Sequence, residues 1–400
     1  MMKSNKRERM KKMMRTRKQL ALGLTLALAS ISYSVAATSV LPQPGQAFTD
    51  YLVETDRYLT QNKKWIDASN SDVEKAAVMP FEIKPAANCE QTKVGVLLLH
   101  GLSDSPYSMR SMGEALAKQC LWVRAALLPG HGTRAEDLIE IERDDWRQAT
   151  KVAIENFAAE TNSLYVAGFS TGGALALDYA KHNKANVSGL ILFSPLLKIN
   201  SSIDWLSPYL APVLTWLDHK DSDDYAKYAS IPVPAIAQAY ELANETRLGL
   251  EESALTLPVF IAMSAEDSTV DSAVTLDYFK RTMVDANSKL WLYSNKAVNF
   301  DDARVQEFNA YNEDLKITGL SHMSAHMDPN DPYYGKDGQY RVCSWYQDED
   351  LKHCKQDQAN WLGEKGELLA EKSPYGGRLS WNPDFNRLVD QITQFINTQQ

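Results

Sequence analysis

The sequence predicts an α/β fold on a mostly parallel sheet, and three observations carry that expectation. Apolar runs at Val94–Leu99, 121–128, 164–167 and 187–195 alternate with amphipathic helical stretches. Continuous apolar runs suit strands buried on both faces of a parallel sheet, and their alternation with helices implies right-handed βα units. The rhythm breaks over 198–256, then resumes with 259–263, a helical stretch 273–282 and 289–293. Neither an internal repeat nor a low-complexity linker divides the chain, so residues 37–400 are expected to form one domain with insertions.

Each element has its own warrant. Phe48, Tyr51, Leu52, Tyr58, Leu59 and Trp65 recur at helical spacing and place a helix before the core. Phe81–Ile83 reads as a first strand. Val94–Leu99 follows and ends in His100-Gly-Leu-Ser-Asp104, and Met109, Met112, Leu116 and Ala117 mark the next helix. The strand at 121–128 closes on Pro129-Gly-His-Gly132, and 142–160 is helical with Trp146, Val152, Ala153 and Phe157 on one side. Residues 198–256, aromatic and proline-bearing, read as short helices forming a cap between core strands. Some alternation over 305–317 suggests an additional strand or hairpin. Residues 327–380 are rich in Asp, Pro, Gly and Tyr and read as a loop-rich insertion, and 384–396 as a terminal helix.

Composition and charge bound the partners. The chain is 44% hydrophobic and 23% charged, a globular composition with ample core. Its net charge of −9 hides an asymmetry: residues 1–18 carry nine Lys/Arg and one Glu, leaving −17 on the remainder. That acidity argues against nucleic acid and anionic membrane surfaces. The basic start passes into an apolar zone at 20–31 and small residues to Ala37, the order of a secretory signal peptide. Residues 1–36 are read as that signal, with cleavage after Ala36 or Ala37; the apolar zone is short for a bilayer span. The expected location is therefore periplasmic or secreted. All four cysteines follow the signal, and an even count in an oxidising compartment suggests disulfides. Proximity in sequence and in the expected fold pairs Cys89 with Cys120 and Cys343 with Cys354. No spacing among them fits zinc.

The chemistry gathers at Gly168-Phe-Ser-Thr-Gly172, between the apolar run 164–167 and a small-residue helical pattern. A strand, a sharp turn and a helix are the context in which Gly-x-Ser-x-Gly exposes its serine as a nucleophile. The flanking glycines leave room where Cβ atoms would collide. Ser170 then needs a base, and the base needs an acid to orient it. After the strand at 259–263 stand Glu266, Asp267 and Asp271; the spacing favours Asp267, while the other two suit solvated charges at a helix start. The base lies between His322 and His326. Their i, i+4 spacing would also suit metal ligands, but no third ligand accompanies them, so no metal is expected. Gly319, at the end of a β-like run, favours His322. His100 and His131 precede the serine, His182 ends its helix, His219 lies in the cap and His353 in the cysteine loop. The amides of Leu102 and Thr171 are the natural donors to an oxyanion.

These residues together resemble the α/β-hydrolase superfamily, in its branch of bacterial carboxylesterases and monoacylglycerol lipases. The resemblance rests on Leu99-His-Gly-Leu102, Leu128-Pro-Gly-His-Gly132, Asp144-Asp-Trp146, Gly168-Phe-Ser-Thr-Gly172 and Ala265-Glu-Asp267, and covers roughly 90–325 plus the terminal helix. It implies an eight-stranded, mostly parallel sheet, a cap after the sixth strand and no cofactor. It also implies Ser170, Asp267 and His322 as a triad, with Leu102 and Thr171 as oxyanion donors. The stretch from Asp267 to His322 is longer than the family usually has, and 327–380 has no counterpart in it.

The expected reaction is cleavage of a carboxylic ester through an acyl-enzyme, on a small-molecule ester or lipid. Trp205, Tyr209 and Leu210 of the aromatic cap segment are the expected substrate pocket. An aminopeptidase, lactonase or thioesterase on the same fold is the alternative, since fold and triad do not determine substrate. A catalytically silent binding protein would lack a triad member or an oxyanion glycine, and none is missing.

Overall fold

The computed structural model describes residues 40–87, 89, 93–356 and 360–399; the expected signal segment 1–36 lies outside the described residues. Eight strands form the sheet: β1 (Phe81–Ile83), β2 (Val94–Leu99), β3 (Trp122–Ala126), β4 (Ser163–Phe169), β5 (Gly189–Phe193), β6 (Val259–Ser264), β7 (Lys289–Ser294) and β8 (Val305–Asn309). Their order is β1-β3-β2-β4-β5-β6-β7-β8. Only β1 is antiparallel, against β3; every other neighbour is parallel.

Successive strand residues face opposite layers. Val96 and Leu98 pack in one layer with helices α3 (Arg110–Lys118) and α10 (Phe385–Asn397), through Met112, Leu116, Leu388, Ile392 and Phe395. Leu97 and Leu99 face the other layer, formed by α4 (Arg143–Ala158), α5 (Thr171–His182), α6 (Val233–Glu252) and α7 (Ser272–Thr282). Helix α1 (Phe48–Asn62) leads, before α2 (Ser71–Val78); its Leu59 is fully buried with Val78 and Leu127. The chain runs from β2 outward to β3, then crosses back to β4 on the other side of β2. That reversal is a topological switch point, where ligands bind beyond the carboxyl ends of the strands.

Three expectations change. Residues 198–256 do not consist of short helices alone: α6 spans 20 residues and lies on the sheet layer, burying Ala235, Ala239, Leu242 and Leu250. Pro232 and Pro234 punctuate only its start, where a proline costs no internal hydrogen bond. The cap-like part is thus 198–232, with a short turn Ser207–Leu210. Second, this segment follows the fifth strand of the sheet rather than the sixth, because among the described residues β1 alone precedes β2. Third, 327–380 is not merely loop: α8 (Asp348–Gln356), α9 (Glu367–Lys372) and a parallel pairing of Leu362–Gly363 with Gly377–Arg378 organise it. Both disulfides are formed, Cys89–Cys120 and Cys343–Cys354, with Cα atoms 5.5 and 6.1 Å apart. Among the described residues, no helix is long and apolar enough to cross a membrane.

Candidate active site

Strand β4 ends at Phe169 and α5 begins at Thr171, so Ser170 alone makes the turn, at φ 53° and ψ −115°. A non-glycine residue there is strained, and the surroundings leave it no alternative. A Cβ on Gly168 would come 2.3 Å from Gly172 O, and a Cβ on Gly172 would come 2.3 Å from Leu99 O. Register adds to this, since Leu99 of β2 stands opposite Gly168 of β4. The loop after β2 is thereby brought against the serine turn.

That loop is held by two histidines. His100 donates from Nδ1 to Gly101 O (2.9 Å) and accepts at Nε2 from Leu128 N (3.0 Å), an arrangement that defines a neutral tautomer. Burial pushes its pKa well below the ordinary range, and the neighbouring His131 adds to the effect. His131, also pushed down by burial, places Nε2 2.7 Å from Leu102 O and ties the two loops together. Trp146 donates to Pro129 O at 3.1 Å and anchors the second loop from α4. Among the described residues, the backbone amides of Leu102 and Thr171 have no protein acceptor. Thr171 opens α5, where the first amides and the helix dipole favour negative charge.

The partners of Ser170 arrive from the far side of the sheet. Ser170 Oγ lies 3.0 Å from His322 Nε2, and His322 Nδ1 lies 2.7 Å from Asp267 Oδ2. All three are buried, at 7%, 6% and 3% exposure. Burial opposes ionisation of Asp267, but the His322 ring and the Val270 and Thr269 amides outweigh it and hold the carboxyl below its usual range. The competing acids are engaged elsewhere. Glu266 accepts from Ser294 Oγ at the end of β7 and from Asn295 N just after it, while Asp271 caps α7 through Val274 N. His326 is fully buried between the rings of Phe169 and Phe193, 4.4 and 5.2 Å away. Burial lowers its pKa to about 3, so it stays neutral. It is His322 that faces the serine.

Trp205, Tyr209 and Leu210 sit on the cap at 52%, 75% and 36% exposure. A pocket of about 340 Å³ opens beside the loop after β2, lined among others by Trp65, Ser103, Asp104, Thr133, Asp224 and Tyr225. Asp224 accepts from Tyr334 Oη at 2.7 Å; burial raises its pKa to about 6 against the pull of Lys227. Asp104 is 7% exposed, and no hydrogen bond or ion pair within the described residues reaches its carboxylate.

The site also contains residues that the sequence did not reveal. Glu364 Oε2 accepts from His322 N (2.9 Å) and from Arg378 Nη2 (2.9 Å), and Arg378 Nη2 also donates to Thr269 Oγ1 (2.9 Å). Both residues come from the insertion, 42 or more positions beyond His322, with no local motif to mark them.

Residues 90–223 match the family model described as serine aminopeptidase, S33. Over 193 residues the chain is 30% identical to a thermostable monoacylglycerol lipase of Bacillus sp. (strain H-257), covering 45% of this chain and 73% of that protein. Among solved structures it is similar to one of two metagenome-derived lipolytic enzymes, LipS and LipT (22% identity, 54% of this chain and 87% of that one, TM-score 0.48). A soluble variant of the monoglyceride lipase of Saccharomyces cerevisiae is similar at 17% identity, with 54% and 82% covered and a TM-score of 0.45. With the mostly parallel eight-stranded sheet and the serine turn after β4, the relationship to the Bacillus enzyme places the chain in the α/β-hydrolase superfamily, as a member of its esterase and monoacylglycerol lipase-like branch.

Proposed function

We propose that the chain is an exported serine hydrolase that cleaves carboxylic esters, of the monoacylglycerol or simple ester class, through an acyl-enzyme. The observation that carries this reading is the continuous contact from Asp267 Oδ2 through the His322 ring to Ser170 Oγ. His322 takes the Ser170 proton as Oγ attacks the ester carbonyl, and Asp267 orients the ring and stabilises its charged form. The Leu102 and Thr171 amides receive the oxyanion. His322 then returns the proton to the departing alcohol, and water releases the acyl group by the same steps in reverse. The apolar part of the substrate is assigned to Trp205, Tyr209 and Leu210. The two disulfides and the charged, apolar and small-residue zones of 1–37 support export.

Reaction with a fluorophosphonate probe, wild type beside Ser170→Ala, tests the nucleophile: labelling is expected to disappear in the variant, and its survival would remove Ser170 from the mechanism. Mass measurement of the exported protein checks for a new terminus after Ala36 or Ala37.

A second reading, hydrolysis of amides bearing a free amine, draws support from the pocket beside the oxyanion loop. Asp104 and Asp224 offer carboxylates there, although Lys63 and Lys227 stand close to Asp224. Acyl esters of graded length compared with aminoacyl amides separate the two readings. Faster turnover of the amides would favour the second.

A further inference from the structure

The insertion 327–380, without counterpart in the family the sequence resembles, touches both loops that carry the partners of Ser170. Residues 316–318 pair with it: Thr318 N donates to Leu362 O and Leu362 N to Lys316 O, each at 2.9 Å. Ser321 Oγ donates to Leu379 O at 2.5 Å, and just beyond the insertion Asn382 Nδ2 donates to Ala325 O at 2.9 Å. These contacts bracket His322 on either side. At the centre stands Glu364, whose side chain is 2% exposed, receiving the His322 amide and the Arg378 guanidinium on one oxygen. Arg378 in turn grips Thr269, whose own amide donates to Asp267 Oδ1 at 2.8 Å. A single buried ion pair therefore reaches the base through its backbone and the acid through Thr269. The Arg378 amide donates to Val342 O at 2.8 Å, next to Cys343, so the pair is rooted beside the Cys343–Cys354 disulfide.

We propose that Glu364 and Arg378 are positioning residues for the reaction, clamping the His322 loop to the Asp267 loop so that the ring meets both Asp267 and Ser170. This rests on the assignment of Ser170, His322 and Asp267 above. Charge-assisted hydrogen bonds are shorter and stronger than neutral ones, and a shift of about 1 Å at a reacting group costs on the order of 10²-fold in rate.

The test uses the full chain, with kcat and KM on a soluble short-chain ester from about pH 5 to 9. Glu364→Ala is expected to lower kcat about 100-fold with KM changed less than about threefold. Glu364→Gln keeps an oxygen for the His322 amide and is expected to recover roughly tenfold of that loss. Thr269→Val, near-isosteric, is expected to lower kcat about threefold. Folded variants with wild-type kcat overturn the proposal, as does a loss that merely tracks the fraction folded or that falls on KM instead of kcat. If Glu364→Ala does not fold, Thr269→Val and Arg378→Lys decide, and wild-type kcat in both overturns it. Activity surviving in Ser170→Ala or His322→Ala would instead overturn the assignment on which the clamp rests.

Discussion

Residues 94–195 and residues 264–380 each supply half of the candidate site, and they hold it by different means. In the first half close backbone approach sets the turn, and His100, His131 and Trp146 tie the neighbouring loops to it through short-range contacts. Gly172 cannot carry a side chain because Leu99 O stands in the way, and the pairing of Leu99 with Gly168 brings the loop after β2 against the serine. In the second half side chains act over long sequence separations: Asp267 to His322 across 55 positions, His322 N to Glu364 across 42, Arg378 to Thr269 across 109. The second half depends on a chain of polar contacts that can fail at any member.

The largest effect is expected in the second half. Asp267→Asn keeps the shape but presents the wrong partner to His322 Nδ1, and kcat should fall about 10⁴-fold with the fold intact. Steady-state kinetics beside circular dichroism measures this. In the first half, Gly172→Ala forces a Cβ onto a backbone oxygen and should cost more than about 4 kcal/mol, read as lost soluble protein or a collapsed melting temperature. A variant as stable as the wild type would break the contrast between the halves.

Two smaller effects concern how the insertion is fastened. Asp224, from the cap-like segment, is held by Tyr333 and Tyr334 of the insertion. Its folded pKa is raised to about 6 from 3.8, so the folded state binds the extra proton and stability falls as pH rises through that window. The loss is up to about 3 kcal/mol, and denaturant titrations from pH 4 to 7 should lose this slope in Asp224→Asn. Asp267 acts in the opposite sense: its pKa is lowered, so its contribution is present above the ordinary carboxylate range and is lost on acidification below it. Last, replacing Cys343 and Cys354 by serine opens a short loop and should cost about 2 to 3 kcal/mol. Because Cys343 adjoins Val342, whose carbonyl receives the Arg378 amide, kcat should drop with it. An unchanged kcat would separate the disulfide from the clamp.

Much of the first half was legible in the sequence. The alternation of apolar strands with helices and the Gly-x-Ser-x-Gly turn both rest on spacing within a few dozen residues. Helix α6 was harder to read. Its prolines and its neighbourhood of aromatic residues masked the Ala235, Ala239, Leu242 and Ala243 stripe that packs on the sheet layer.

What the sequence by itself determined is the strand rhythm, the strained turn at Ser170 and a short list of partners for it. Each of these is dictated by steric and hydrophobic patterns that act locally along the chain. Only the tertiary structure decided among the partners. His322 and His326 are separated by four residues, yet one faces the serine and the other is buried between Phe169 and Phe193. That choice depends on contacts from Glu364, Leu379 and Asn382. Such contacts obey no period and no fixed spacing, because they form between surfaces that meet only after the sheet has assembled.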